Sequence, residues 1–145
     1  MILNNYKSVT DIIVSFITTL IHYLIGGIDI WIKTLGILMV LDVMTGLAKA
    51  IMGVSEKTKK GFLDSTIMWQ GGIKKLLTLI VICVATIINQ LISPDSMAIR
   101  TFTISYYIAT EALSVLENVS ACGLPLPKHL THVLEKLETD SEKIK

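Results

Sequence analysis

Apolar positions in this chain fall in long runs rather than in alternation. Four runs stand out, at 12–28, 34–53, 76–93 and 101–119. A membrane-crossing helix needs about 20 mainly apolar residues, and each run approaches that length. The run at 76–93 carries no charge and lies between Lys74-Lys75 and Pro94-Asp95. The run at 12–28 contains His22 and Gly26-Gly27, the run at 34–53 contains Asp42 and Lys49, and the run at 101–119 contains Glu111 and Glu117. Alternating, barrel-type strands are disfavoured by this continuity. The first run is too long for a signal-peptide core, only Lys7 precedes it, and no small-x-small cleavage site follows it.

Beyond the fourth run, Leu124-Pro125-Leu126-Pro127 is expected to end the helix, because proline cannot continue it. Leu130, Val133, Leu134 and Leu137 then recur at helical spacing. The domain reading is a transmembrane unit at 1–123 and a soluble, charged tail with a short helix at 124–145. No internal repeat is evident.

Composition agrees with the runs. The 145 residues are 52% hydrophobic and 17% charged, against about 25% charged in an average soluble domain. Mean hydropathy is +0.64. A chain this short cannot hide so much apolar side chain in its own core, which argues against a soluble enzyme, and the low charge argues against a disordered chain. Few aromatics and a net charge of +1 give no platform for nucleic acid.

Charge placement predicts orientation. Lys7, Lys49, Lys57, Lys59, Lys60, Lys74, Lys75, Lys128, Lys136, Lys143 and Lys145 would all lie on one side of a four-span chain. Only Lys33 and Arg100 would lie on the other. The positive-inside rule places the lysine-rich side in the cytoplasm. The prediction is an all-α integral membrane protein of three to four spans, four being favoured, with both termini cytoplasmic. The three-span form arises if the first or fourth run lies in the interface plane.

Polar residues inside the runs are expensive in hydrocarbon, so their arrangement is informative. Asp42, Gly46, Ala50 and Gly53, with Thr45 and Lys49 beside them, form a stripe of small residues headed by an acid. Such stripes let helices approach closely. The stripe is either a surface for assembly, with Asp42 paired to a lysine, or an ordinary packing face within the chain. In the fourth run, Thr103, Tyr107, Thr110, Glu111, Ser114, Glu117 and Asn118 fall within about 120° at the helical period. That face must meet water or protein. It is either a pore lining completed by other subunits or a seam inside a closed bundle.

Motifs for catalysis are missing. The sequence has no HExxH, GxSxG or Walker loop. His22, His129 and His132 do not make a metal cluster, and Ser114 with Glu111 lacks a base. Cys83 and Cys122 read as packing residues, and Trp31 and Trp69 as interfacial anchors. No cofactor is expected.

Three blocks are similar to the phage holin family that includes clostridial toxin-secretion holins and related prophage or sporulation-linked lysis proteins. They are Leu41-Asp42-Val43-Met44-Thr45-Gly46, Gly71-Gly72-Ile73-Lys74-Lys75, and the segment from Tyr107 to Asn118 followed by Gly123-Leu124-Pro125-Leu126-Pro127. The resemblance covers roughly 36–137, and the third block is the most specific. It implies a multi-pass protein of the bacterial cytoplasmic membrane that forms homo-oligomers among the lipids. Timed lesions would then release a peptidoglycan hydrolase (an endolysin) or a toxin without a signal peptide. It implies no catalysis and no direct binding of that cargo. Two other classes stay open on the residues alone: a small transporter or channel using Asp42 or Glu111, and a membrane scaffold using the Leu130–Leu137 helix. No second methionine follows Met1 until Met39, so a paired start is not visible.

Overall fold

The computed structural model describes residues 2–54, 65–130 and 132. Among them lie four helices: α1 (Ile2–Ile25), α2 (Ile30–Ile51), α3 (Ser65–Ile92) and α4 (Ala98–Ala121). No strand occurs among the described residues, as the continuous apolar runs predict. Lys57, Lys59, Lys60 and most of the tail after Leu130 lie outside the described residues.

The helix ends have local causes. α1 stops at Gly26 and Gly27, whose φ values of +77° and +102° leave the helical region; both N–H groups close on the His22 carbonyl at 3.0 Å. The first run therefore breaks before Ile28. Asp29 caps α2 by accepting from the Ile32 N–H at 3.1 Å. α2 ends with Gly53 at φ +69°. There the Gly53 N–H donates to the Ala50 carbonyl and the Val54 N–H to the Lys49 carbonyl, a Schellman closure. Gly53 thus lies past the helix, with open space where a β-carbon would stand. This corrects its place in the small-residue stripe.

α4 closes in the same way. Gly123 takes φ +88°, its N–H donates to Ser120 and that of Leu124 to Val119. The helix is over at Ala121, ahead of the two prolines that were expected to stop it. A helical turn resumes at Lys128.

α2 and α4 lie side by side and run parallel, since Asp29 meets Arg100 at one end and Asp42 meets Asn118 further along. α3 runs antiparallel to both, and α1 touches mainly α3. A small core joins Leu35 and Met39 of α2, Ile82 of α3 and Ile104 of α4, flanked by Ile32, Tyr107 and Ile108. Outside it the helices present large apolar side chains: Leu91 is 79% exposed, Phe102 78% and Ile51 72%. Soluble monomers rarely show so much contiguous apolar surface. α2 (Ile30–Ile51) and the stretch Trp69–Ile92 of α3 are long and apolar enough to cross a membrane, and α1 has a shorter apolar stretch, Val9–Ile25. Trp31 and Trp69 are both exposed.

Candidate functional site

Two polar clusters pin the bundle. The first is a seam where α2, α3 and α4 meet. Lys75 Nζ donates to Asp42 Oδ2 at 2.9 Å and to Glu111 Oε2 at 2.5 Å. Asn118 Nδ2 donates to the other Asp42 oxygen at 3.2 Å and to Thr45 Oγ1 at 3.4 Å. Thr45 passes its own proton back along α2, to the carbonyls of Leu41 and Asp42. The three charged side chains are only 12–20% exposed. One ammonium thus serves two carboxylates, which is the way ionisable groups survive among apolar helices.

The seam exists because α3 begins at Ser65, well before the charge-free run. Lys75 was expected to mark the cytoplasmic flank together with Lys74. Lys74 is exposed, but one residue of rotation turns Lys75 inward. α3 then presents a stripe of Lys75, Thr78, Ile82, Thr86 and Asn89 to its neighbours, the last four of them buried. This stripe repeats roughly every seven residues and is legible in the sequence, beneath the lack of charge that marks the run as a span.

The second cluster lies at the other end, about 16 Å along α4 from Glu111 at 1.5 Å per residue. Arg100 is 1% exposed. Its Nε donates to the Ile25 carbonyl at 2.6 Å, Nη2 to the Gly27 carbonyl at 2.9 Å and Nη1 to Asp29 Oδ2 at 2.6 Å. Thr86 Oγ1 donates to Ile82 O at 2.8 Å and lies 3.3 Å from Ile25 O. Met97 offers α4 no side-chain cap. Asn89 supplies one from α3, its Oδ1 accepting from the N–H groups of Ile99 at 2.9 Å and Arg100 at 3.4 Å. Its Nδ2 donates to the carbonyls of Ser93 and Ser96. Burial pushes the Asp29 carboxyl up, but the bonds from Arg100 and Ile32 and the guanidinium charge outweigh it and hold the group below its ordinary value. In the sequence Arg100 reads only as a loop charge, and Thr86 and Asn89 show only as members of the α3 stripe.

The predicted α4 stripe divides in two. Tyr107, Glu111, Ser114 and Asn118 are half-buried, with Tyr107 against the core. Thr110 and Glu117 are exposed. Thr103 is half-buried and bonds the Ile99 carbonyl of its own helix at 2.9 Å. Gly46 and Ala50 are half-buried, Gly46 facing Asn118. Cys83 and Cys122 are free thiols. Among the described residues no group of three or more His, Cys, Asp or Glu could hold a metal.

Comparison with known proteins gives these observations a context. The Bacteriophage holin family model matches residues 19–139. An uncharacterised Clostridium perfringens protein is 36% identical over 124 residues, covering 86% of this chain and 87% of its own. An uncharacterised Bacillus subtilis protein is 34% identical over 85% of this chain and 81% of its own. A probable holin of Bacillus phage phi105 is 32% identical over 83% of this chain and 82% of its own. No solved structure matches. The match runs from the middle of α1 past the end of α4, so it takes in both polar clusters and the apolar helices around them. The chain is a membrane protein and belongs to the bacteriophage holin family.

Proposed function

We propose that this chain assembles in the bacterial cytoplasmic membrane and opens lesions that let a peptidoglycan hydrolase, or a toxin without a signal peptide, leave the cell. The observation that carries this reading is the Asp42–Lys75–Glu111 seam inside helices whose outer surfaces are apolar. Helix packing alone hides these three charges from lipid. A packing of this kind has alternatives of similar energy when subunits crowd. The seam also weighs against a transporter, because Lys75 occupies both carboxylates that such a protein would use to couple protons.

The proposed topology has four spans and cytoplasmic termini. Helix directions support it, with α1 parallel to α3 and α2 parallel to α4. α1 and α4 have 24 residues each, about 36 Å at 1.5 Å per residue, against a hydrocarbon core of about 30 Å. The Arg100 cluster then lies toward the outer face, and Lys49 and Lys74 toward the cytoplasm. Glu111 and Asn118 hold the subunit together through Lys75, Asp42 and Thr45, while Thr110 and Glu117 face a neighbouring copy.

The test is co-expression with an endolysin that lacks a signal peptide. Abrupt loss of culture turbidity, with endolysin appearing outside the cells, is expected. An endolysin that stays inside while the chain accumulates in the membrane fraction would overturn the reading.

A further inference from the structure

α1 carries a polar stripe that nothing among the described residues covers. At 100° per residue, Asp11, Ser15, Thr18, Thr19 and His22 fall within an arc of about 100°. Ile13, Ile17 and Leu20 lie opposite. Every residue at 9–23 is exposed, on the polar and the apolar side alike. Thr18 and Thr19 donate to the carbonyls of Val14 and Ser15, both at 2.8 Å, which leaves their oxygens able to accept. Among the described residues Asp11 and His22 have no such partner, and ionisable groups on a spanning helix must face water or protein.

The inward-facing polar side chains that the described residues of α2, α3 and α4 bring into the bundle are engaged elsewhere. Lys75 is held by Asp42 and Glu111, Asn118 by Asp42 and Thr45, and Arg100 by Asp29 and two carbonyls. α3 and α4 also carry polar faces, and both have turned most of them inward. A helix lying on the bilayer surface is rich in Lys and Arg on its polar side; the stretch Val9–Ile25 has none. Its end is also fixed, since Arg100 grips the Ile25 and Gly27 carbonyls beside the start of α2.

We propose that the α1 stripe faces the α1 stripes of further copies of this chain and becomes the water-lined wall of the assembled opening. α4 stays in the body of each subunit. From Asp11 to His22 the stripe runs for about 16 Å, half the thickness of the hydrocarbon core. This inference rests on the proposal that the chain opens lesions.

The experiment uses the full chain with Cys83→Ser and Cys122→Ser, and single cysteines placed on α1. A membrane-impermeant thiol reagent is added to cells before and after lysis begins. Ser15→Cys and Thr18→Cys should react at least about tenfold faster after opening, the gain expected when a thiol passes from hydrocarbon to water. Ile13→Cys and Ile17→Cys should not change. In isolated membranes an oxidant should crosslink Ser15→Cys into dimers and leave Ile17→Cys monomeric, a readout that survives if a variant no longer lyses cells. Labelling of Thr110→Cys and Glu117→Cys in place of the α1 positions would overturn the inference and make α4 the wall. Equal labelling of the stripe before and after opening would overturn it in favour of a surface-lying α1. In both cases lysis still occurs and the proposed function stands. Absence of lysis from the parent chain would overturn that function, and this inference with it.

Discussion

A β-carbon on Gly26 would stand 2.7 Å from Nε of Arg100. The glycine between α1 and α2 is therefore part of the buried guanidinium's cradle. Gly26→Ala meets two penalties: the side chain cannot shift without breaking the bonds to Ile25 and Gly27, and φ +77° is strained for alanine. Gly27→Ala shares only the second, since its nearest atoms belong to His22 at 3.6 Å. The strain alone costs about 1–2 kcal/mol. Thermal unfolding in detergent should fall for both variants and further for Gly26→Ala. Equal losses would mean that Arg100 does not depend on that space.

Lys75 is the only cation that the described residues bring to Asp42 and Glu111. Lys75→Met leaves two carboxylates facing each other across a partly buried seam. Removing one partner of a buried pair costs about 3–5 kcal/mol, and partial exposure puts this case at the lower end. The triple change Lys75→Met, Asp42→Asn, Glu111→Gln removes the charges together and should recover most of the loss. Helix association read by unfolding in detergent checks both. A triple variant as unstable as Lys75→Met would show that shape rather than charge is what the seam requires.

Asp29 gives the Arg100 cluster an acid limit. Its folded-state pKa is lowered from 3.8, so the folded state binds that proton less readily than the unfolded chain. The stabilisation is fully present above 3.8 and is lost as pH falls through the lower folded value. Because the Asp29 side chain is 39% exposed, solvent screening keeps the effect small. Unfolding followed from about pH 5 to about pH 2 should show a steeper loss for the parent chain than for Asp29→Asn. Parallel curves would remove Asp29 from the cluster's energetics.

The helices were legible because apolar runs and their breakers are local signals. The partners of the charges were not local. Lys75 looked like a flank because a lysine commonly marks where an apolar run meets water, and nothing beside it in the sequence reveals Asp42 and Glu111 on two other helices. Arg100 looked like a loop charge for the same reason. Gly53 matched the small-residue spacing, but a glycine at the end of a run serves equally well as a left-handed cap, and its φ of +69° shows which. The α4 stripe was visible as a face; its division into inward Glu111 and outward Glu117 depends on where α2 and α3 sit.

Gly46 provides a last test, of whether the small-residue face of α2 works within the subunit. A β-carbon there would stand 3.6 Å from Asn118 Nδ2, an ordinary contact. Gly46→Ala therefore fits, and it should gain up to about 1 kcal/mol because alanine favours a helix interior over glycine. Gly46→Leu is different. Its longer side chain must enter the space of Asn118, which bonds Asp42 and Thr45, so overpacking should cost about 1–3 kcal/mol. The loss should show as lower unfolding stability that does not depend on protein concentration, because the contact lies inside one chain. Should Gly46→Leu leave unfolding unchanged and only weaken crosslinked oligomers, the face would belong between subunits, and the α2–α4 contact at Gly46 would not govern the fold.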